Sequence, residues 1–495
     1  MINGDRFEIV RGKYLEKHIR CPYCKGGISR PEEKKTDVNI SIRMIEDCLT
    51  DTTVSFTVIA TAVTVTTVAE VCRTKSIVFF CIITKNLSIF WEYNPNIYID
   101  FLDYLIFFVS LHRESKHVIM ELLQRKLQET IEKRMFKGKA VVLVGARQVG
   151  KSTLFRQILS SHDDVLTLNC DDPETRSLLE GANLGEVRRL VGNHRIVMVD
   201  EAQRLRGAGL TMKLITDNMP DVQLLITGSS SFLLQGEMNE PLTGRKFEYQ
   251  LFPFSTQEIN DNMGYLRARQ LLESRLVFGS YPDVINNVGD SVVVLSNLSG
   301  SYMYQDLLTI EGVRKPVLIE KLLVALALQV GSEVSYNELS QAVGSDVKTV
   351  EKYVDLLEKC YIVFRLPALN RNMRTELKKG KKIYFYDNGI RNSIIQNLNP
   401  LSLRNDVGAL WENFIVSERI KFNQNRGHRA NYYFWRTTTQ QEIDLIEESG
   451  GTFQLFEMKW NPRRATAKTP SEFTKGYGEI PLSVITPDNY LDFLI

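Results

Sequence analysis

The sequence predicts an α/β chain built around a parallel β-sheet. A run of strand-forming residues, Ala140 to Val144, leads into GARQVGKS at residues 145–152, and a helical pattern follows it. Further strand patterns, Val165–Asp172 and Ile196–Val199, are separated by helical sequence. Strands that alternate with helices in this way are typical of a parallel sheet covered by helices.

The octapeptide GARQVGKS fits the phosphate-loop pattern G-x-x-x-x-G-K-[ST] at each fixed position. Glycines let the backbone curl so that N–H groups point at a phosphate, and the following helix adds its positive N-terminal end. Lys151 is predicted to reach the β- and γ-phosphates of ATP, and the hydroxyl of Ser152 to hold Mg²⁺. The alternative is a strand-to-helix turn that binds nothing. The predicted ATP-contacting residues of this segment are Gly145, Ala146, Arg147, Gln148, Val149, Gly150, Lys151, Ser152 and Thr153.

Two acids, Asp200 and Glu201, follow the strand pattern IVMV. They stand at the carboxyl end of a predicted parallel strand, where ligands bind in such sheets. In this Walker B pattern, Asp200 is predicted to hold Mg²⁺ through water, and Glu201 to polarise the attacking water. An acid pair on the surface is the alternative, but the phosphate loop upstream favours catalysis because both parts are expected together.

A further strand pattern starts at Val222 and ends in polar residues, of which Thr227 and Ser229 are predicted to sense the γ-phosphate. Arg245 then follows in a predicted loop after a helix. Its guanidinium could supply positive charge to the transition state, in its own chain or in a neighbouring subunit. An ordinary surface arginine is the alternative, and the sequence leaves the choice open because the role depends on geometry.

Composition sets outer bounds on the protein. A chain of 495 residues with 43% hydrophobic and 24% charged residues is expected to form two to four globular domains. The net charge of +2 means that any nucleic-acid signal must be local. Seven cysteines do not suggest a disulfide framework, and charges run throughout the first twenty residues, so we expect a cytoplasmic protein without a secretory signal.

Residues 1–119 fit poorly with the rest, and we expect them to be a poorly ordered or non-native extension. An amphipathic helix is predicted from Met120, which would be the natural first residue. The Thr/Val-rich run from Thr52 to Ala69 alternates in a way that suits a strand better than a membrane helix. Membrane anchoring through residues 52–111 is a minor alternative. The single C-x-x-C pair, Cys21 and Cys24, is half a zinc site, and the two further cysteines considered for it, Cys48 and Cys72, are isolated.

Residues 261–315 read as a helical lid, and residues 316–370 as a winged helix. Gly344 is expected to end the first of two helices, and Ser345-Asp346 to cap the second. The predicted function of this winged helix is to contact DNA. The alternative is a module that packs against another protein. The side chains predicted to face outward on the second helix are Lys348, Thr349, Lys352 and Tyr353. The basic run RNMRTELKKGKK after it could bind phosphates or be a solvated loop.

A second chemical signal lies near the C-terminus, where EIDLIE and TFQLFEMKW form a predicted hairpin around Gly450-Gly451. That register sets Asp444 opposite Glu457, about 5 Å apart, and such a carboxylate pair needs a cation between its members. With Lys459, this is the D…E-x-K arrangement of a Mg²⁺-dependent nuclease site. The alternative to a nuclease site is an ordinary cross-strand ion pair between Glu442 and Lys459, with the acids on a solvent-exposed face of the sheet.

Several motifs in order resemble the prokaryotic AAA+ ATPases that carry a winged helix and a C-terminal restriction-endonuclease-like PD-(D/E)xK domain. They are GARQVGKST, VMVDEAQRL, LLITGSSSFLL, LTGRKFEYQLFPFS and GSYPDVI, over roughly residues 120–460. The resemblance implies an AAA+ core at 120–260 and the endonuclease-like domain at 371–495. It favours Glu412 over Glu418 as a further nuclease-site residue. Ser280 departs from the glycine that relatives often have there.

We therefore expect a P-loop NTPase of the α/β class that binds ATP and Mg²⁺ and couples hydrolysis to DNA handling by its C-terminal domains. A homo-oligomer or a protein partner is expected, and no membrane. The alternative is a regulatory switch in which ATP drives assembly and the nuclease-like domain only binds partners.

Overall fold

The computed structural model of the chain divides into two compact units, Met1–Ile119 and Met120–Ile495. None of the helices in the described residues is long and apolar enough to cross a membrane. The structure describes residues 15–20, 27–32, 56–62, 65–71, 79–83, 123–228, 241–287, 289–298, 315–370, 380–437, 439–464 and 468–495.

The described segments of the first unit are β-strands in two antiparallel sheets. The first sheet pairs β1 (Leu15–Arg20) with β2 (Gly27–Glu32), and the second has the order β3 (Phe56–Ala62), β4 (Val65–Val71) and β5 (Phe79–Ile83). The prediction that the Thr/Val-rich run forms strands is confirmed. The four cysteines of the metal prediction lie outside the described residues, and Met120 as the natural start stays a prediction.

The second unit begins with a parallel sheet whose five strands have the order β10-β6-β9-β8-β7. This confirms the predicted α/β fold. The described elements are α1 (Leu127–Glu132), β6 (Ala140–Val144), α2 (Lys151–Leu159), β7 (Val165–Asn169), α3 (Pro173–Leu179), α4 (Leu184–Val191), β8 (Ile196–Asp200), α5 (Ala208–Asn218), β9 (Gln223–Gly228) and β10 (Lys246–Gln250). Helix α1 begins at Leu127, with Lys126 as its N-cap. It is therefore shorter than the helix predicted from Met120.

Both faces of this sheet are buried. In β6, Val141 and Leu143 join one apolar core, whereas Val142 and Val144 join another on the opposite face. The continuous run of apolar residues in the sequence reflects this double burial, which is usual for a parallel sheet. The first of the two cores continues beyond the sheet into the helices and strands that follow.

Among the described residues, five short helices follow the sheet, and the first starts before residue 261, the predicted start of the helical segment; the lid role stays a prediction. A capping box between Ser255 and Glu258 starts that helix. The helices are α6 (Thr256–Met263), α7 (Tyr265–Gln270), α8 (Leu272–Phe278), α9 (Pro282–Asn286) and α10 (Ser291–Asn297).

A three-stranded antiparallel sheet packs with three helices in the middle of the unit. The elements are α11 (Pro316–Leu328), β11 (Glu333–Val334), α12 (Tyr336–Val343), α13 (Val347–Lys359), β12 (Val363–Pro367) and β13 (Lys381–Phe385), and the strand order is β11-β13-β12. Gly344 ends α12 with φ +70° and Asp346 caps α13, both as predicted. Tyr353 was predicted to face outward, and this is wrong. It is 3% exposed, because it follows Val350 at helical spacing and joins the apolar core.

The predicted boundary at residue 370 divides this sheet. Strand β13 was assigned to the C-terminal domain, yet it pairs with both β11 and β12. Residues 371–379 of the basic run lie outside the described part of the chain, and its last two lysines, Lys381 and Lys382, belong to β13. Lys382 is buried and so is not part of a solvated loop.

The C-terminal part has a mixed sheet of order β14-β15-β16-β17, in which β16 and β17 are parallel. Its elements are α14 (Asn388–Ile394), α15 (Val407–Asn425), β14 (Asn431–Arg436), β15 (Glu442–Ser449), β16 (Thr452–Met458), α16 (Ser471–Tyr477), β17 (Leu482–Ile485) and α17 (Tyr490–Leu494). The predicted hairpin register is confirmed from Ser449 opposite Thr452 to Leu445 opposite Phe456. One more step of the same register sets Asp444 opposite Glu457.

Candidate nucleotide site and a second acidic cluster

Three polar side chains meet where the central strands of the parallel sheet end. Asp200 is the last residue of β8, Thr227 lies at the end of β9, and Ser152 opens α2 after the phosphate loop. The Ser152 hydroxyl donates to Oδ1 of Asp200 at 2.8 Å, and the Thr227 hydroxyl donates to the same oxygen. Because β9 lies between β6 and β8, its end bridges the loop and the acidic strand.

The phosphate loop is closely packed at its start and holds its lysine inward. A Cβ at Gly145 would lie 2.3 Å from the carbonyl oxygen of Leu251, so only glycine fits there. Nζ of Lys151 is buried and donates to the carbonyls of Gly145 (3.1 Å) and Ala146 (2.9 Å). The ammonium therefore lies across the loop, on the side where the motif predicts phosphates.

Glu201 has an unusual backbone conformation for its residue type, with φ +53° and ψ +40°. Its N–H donates to the Thr227 hydroxyl at 3.1 Å, and its carboxylate accepts from Nε2 of Gln203. Backbone strain of this kind clusters at functional sites. Glu201 is thus held next to Asp200 by the residue that was predicted to sense the γ-phosphate.

Arg245 does not lie near the phosphate loop of its own chain. It directly precedes β10, and its carbonyl accepts from the N–H of Ala140, the first residue of β6. The loop follows the other end of β6, about 16 Å away at the usual rise per strand residue. A role in its own site is therefore wrong, and a role toward a neighbouring subunit stays a prediction. Arg245 instead pairs with Asp217, and Ser229 lies outside the described residues.

The residues at the strand ends fit a nucleotide with Mg²⁺. Oγ of Ser152 and Oδ1 of Asp200 are hard oxygen donors 2.8 Å apart. The Ser152 hydroxyl would hold the ion together with phosphate oxygens and water, Asp200 would hold it through water, and Lys151 would meet the phosphates.

Sequence reasoning missed one residue of this region, Arg125, which falls within the amphipathic helix predicted from Met120. It is buried, and its Nη1 donates to the carbonyl of Val149 in the phosphate loop at 3.0 Å. Its Nε pairs with Glu258 at 2.9 Å. Sequence offers no local signal for this contact, because Glu258 is more than a hundred residues away.

The second acidic cluster lies at the base of the C-terminal hairpin. Oδ2 of Asp444 accepts from the N–H of Met458 at 2.8 Å, and Oε1 of Glu457 accepts from Lys459 at 2.5 Å. Burial raises the pKa of Asp444 well above its usual value, and the charges of Glu412 and Glu457 raise it further. The hairpin therefore brings together Asp444, Glu457 and Lys459, and Glu412 is close enough to act on Asp444.

A buried lysine that sequence reasoning did not single out, Lys382, completes this cluster. Its Nζ lies 2.9 Å from Glu412 and 2.7 Å from Glu442, and only 2% of the residue is exposed. The pKa of Lys382 is raised above its usual value. Burial alone would lower this pKa, but the negative charges of Glu412, Asp444 and Glu442 outweigh the effect of burial. The predicted ion pair between Glu442 and Lys459 is not formed, because Glu442 pairs with Lys382, and Lys459 with Glu457.

Glu418, the other acid considered for a metal site, has a different task. It is buried with Arg275 (3.1 Å) and Lys421 (2.8 Å), and it accepts from the Thr256 hydroxyl at 2.7 Å. Burial alone would raise the pKa of Glu418, yet Lys421 and Arg275 lower it to about 2. The carboxylate oxygens of Glu418 already bond helix α6 and these two cations. Glu412 is therefore the better candidate for the nuclease site, as the resemblance implied.

A metal ion fits the second cluster only as a two-carboxylate site. Oε2 of Glu457 is buried and has no hydrogen-bond partner, which suits a cation ligand. Within the described residues, no three acids, histidines or cysteines form a group that could hold a metal. Mg²⁺ binds well through one or two carboxylates and several waters, so Asp444 and Glu457 would be sufficient.

Comparison with known proteins locates three domains in the second unit. Residues 137–260 match an AAA domain, residues 269–401 a domain of unknown function (DUF8612), and residues 407–489 another (DUF4143). An uncharacterized protein of Mycobacterium tuberculosis is 26% identical over 69% of this chain and 74% of its own. One from Haemophilus influenzae is 25% identical over 51% of this chain and 68% of its own.

Among solved structures, NtrX from Brucella abortus in complex with ATP is 14% identical over 54% of this chain and 76% of its own, with a TM-score of 0.23. That likeness is too weak to bear on function. The family match and the sheet agree with each other, because the AAA match spans all five parallel strands and the phosphate loop. Residues 137–260 of this chain are therefore an AAA domain with the P-loop NTPase fold.

Proposed function

We propose that the chain is a Mg²⁺-dependent ATPase whose AAA domain couples nucleotide state to DNA binding or handling by the C-terminal domains. One observation carries the ATPase part. A single oxygen, Oδ1 of Asp200, accepts hydrogen bonds from both Ser152 and Thr227, and Glu201 follows directly. This joins the loop, the acid and the polar strand end in one hydrogen-bonded group.

The chemistry would be attack of water on the γ-phosphorus, with ADP as the leaving group. Glu201 would orient the water and take its proton, while Ser152 and Asp200 would hold Mg²⁺. Lys151 would bind the β- and γ-phosphates and offset the charge that develops on them. Arg245 would act only on the site of a neighbouring subunit, in a homo-oligomer.

Release of phosphate from Mg²⁺-ATP tests the ATPase proposal. Glu201→Gln is expected to lower kcat by about 10²- to 10⁴-fold while the affinity for a fluorescent ATP analogue is kept. Lys151→Ala is expected to lose both. Lys133→Ala and Glu174→Gln, at exposed positions outside the site, are matched controls. Full turnover by Glu201→Gln would contradict the assignment.

The DNA part of the proposal is supported by the topology of residues 316–385. Two helices, α12 and α13, and a three-stranded sheet of order β11-β13-β12 support the winged-helix proposal. Lys348 and Lys352 are exposed and four residues apart on α13, so they lie on one face of the helix.

Binding of labelled duplex DNA at several salt concentrations tests this part. The double variant Lys348→Ala/Lys352→Ala is expected to weaken binding and to flatten the salt dependence, because two phosphate contacts are removed. Lys321→Ala, an exposed lysine on α11, is the control. Binding that stays unchanged in the double variant, with the same salt slope, would refute DNA contact through α13.

A second candidate function for the C-terminal cluster follows from Lys382. Its ammonium lies between Glu412 and Glu442, so a resident positive charge already offsets part of the negative charge of the cluster. This favours a domain that binds partners without cleaving nucleic acid. Incubation of plasmid with the protein, ATP and Mg²⁺ separates the two. Nicking that Asp444→Asn abolishes supports a nuclease, and absence of nicking on DNA and RNA supports the switch.

A further inference from the structure

We propose that Arg125 is a positioning residue that sets the conformation of the phosphate loop for nucleotide binding. This inference rests on the proposed ATPase function, but it concerns a residue outside the phosphate-loop and Walker B motifs. Arg125 precedes α1 and lies before the first strand of the AAA domain. The match to the AAA domain starts only at residue 137, so Arg125 is not part of it.

The guanidinium of Arg125 makes hydrogen bonds with each of its three nitrogens and packs over an aromatic ring. Nη1 donates to the carbonyl of Val149 at 3.0 Å, Nη2 to the carbonyl of Phe252 at 2.5 Å, and Nε to Glu258 at 2.9 Å. The guanidinium carbon lies 4.4 Å from the ring centroid of Phe254. Arg125 is 7% exposed and Glu258 is 2% exposed. Its planar fork of donors suits such a fixed, multidentate contact, which lysine does not reproduce.

The contact with Val149 matters because of where this carbonyl lies. The C=O of Val149 and the N–H of Gly150 belong to one planar peptide group and point in opposite directions. Holding the carbonyl toward Arg125 therefore fixes the direction of the Gly150 N–H. Gly150 has φ +94° and directly precedes Lys151, so this peptide sets the last turn of the phosphate loop. Backbone N–H groups of that loop are the phosphate donors.

The other end of the anchor is itself held rigidly. Glu258 also accepts from the N–H of Ser255 at 2.9 Å, which closes the capping box of α6. Asn425, at the end of α15, donates to the Ser255 hydroxyl at 3.2 Å. Arg125 thus ties the phosphate loop to the lid helix and, through Ser255, to the C-terminal part of the chain.

The test uses the full chain and measures affinity for a fluorescent ADP, which needs no hydrolysis, beside kcat/KM for ATP. Arg125→Met is expected to weaken ADP binding and to lower kcat/KM by about 10²-fold, the size of effect seen when a reacting group is misplaced by about 1 Å. Arg125→Lys keeps the charge beside Glu258 but not both carbonyl contacts, so an intermediate loss is expected. The matched control is Arg391→Met.

Arg391 is a good control because it is also a buried arginine with a carboxylate and a backbone carbonyl as partners, Asp406 and Ala327. It lies in α14, outside the AAA domain. Arg391→Met is expected to lower the thermal midpoint as Arg125→Met does, yet to leave ADP affinity unchanged. Equal thermal losses in the two variants, with ADP affinity and kcat/KM kept in both, would overturn the inference.

The outcomes separate this inference from the proposed function. A wild-type protein that binds ADP but releases no phosphate refutes the ATPase and leaves ADP affinity as the readout for Arg125. If Arg125→Met does not fold, the positioning role is tested with Arg125→Lys instead. The measurement is the rate of amide hydrogen exchange over residues 145–152. Faster exchange there than in Arg391→Met supports the positioning role, and equal exchange overturns it.

Discussion

Replacing Glu418 by glutamine tests how strongly the buried ion network stabilises the C-terminal part. Glu418 is 1% exposed and lies between Arg275 and Lys421. Its pKa of about 2, against an ordinary 4.5, means that the folded protein favours the charged form. At about 1.4 kcal/mol per pKa unit, the carboxylate gains about 3 kcal/mol. Breaking a buried pair costs about 3–5 kcal/mol, which agrees.

The predicted loss for Glu418→Gln is therefore about 3 kcal/mol at pH 7. Its pH dependence has a definite sign, because a lowered pKa gives stability that is present above the unfolded value. The advantage of the wild type is expected to be complete above pH 4.5 and to shrink as the pH falls toward about 2.

Tryptophan emission during urea unfolding is a suitable assay. Trp411 is buried on the same helix as Glu418, and Trp435 and Trp460 lie in the same C-terminal part. The fourth tryptophan is Trp91, so the variants are made in a Trp91→Phe background, in which emission follows the C-terminal part. Glu129→Gln is the control, since its ion pair with Lys133 is exposed to solvent and contributes little to stability. The reasoning is refuted if both variants lose equally little, or if the loss at Glu418 is the same at pH 7 and pH 3.

Three more changes are expected to separate buried from exposed roles. Gly279→Ala should lower the thermal midpoint with a cost of about 1–3 kcal/mol, because its Cβ would lie 1.9 Å from Oδ1 of Asp387; an unchanged midpoint contradicts this. Asp444→Asn should raise the midpoint in EDTA at pH 8, since its raised pKa penalises the charged form there, and should remove any stabilisation by Mn²⁺; a lower midpoint in EDTA is the opposite result. Tyr353→Ala should cost about 3–5 kcal/mol in urea unfolding and Lys352→Ala less than about 0.5, so equal costs would argue against the core position of Tyr353.

The nucleotide site was predictable because its parts are short contiguous motifs. The loop from Gly145 to Ser152 and the pair Asp200-Glu201 each follow a buried strand, and parallel strands bring their carboxyl ends to one edge. The hairpin register was predictable for a similar reason, since Gly450-Gly451 fixes it locally. In each case, neighbours in sequence determine neighbours in space.

The contacts that were missed join residues far apart in the chain. The role of Arg245 was left open by the sequence because it depends on geometry, and the residue directly precedes β10, away from the phosphate loop of its own chain. Lys382 meets Glu412 and Glu442 only after β13 has paired with β11 and β12. Arg125 pairs with Glu258, 133 residues further along the chain. No periodicity or motif encodes such pairs, because they depend on tertiary packing.

Helix α15 is one long helix that contacts the acidic cluster near one end and the phosphate-loop anchor at the other. Its 19 residues span about 28 Å at 1.5 Å per residue. Glu412 near its start meets Lys382, Glu418 in its middle meets α6, and Asn425 at its end meets Ser255 beside the anchor of the phosphate loop. Over that length, a tilt of about 2° displaces the far end by about 1 Å. Under the proposed coupling, a tilt of that size at the Asn425 end would move Glu412, near the other end, by about the tolerance of a hydrogen bond.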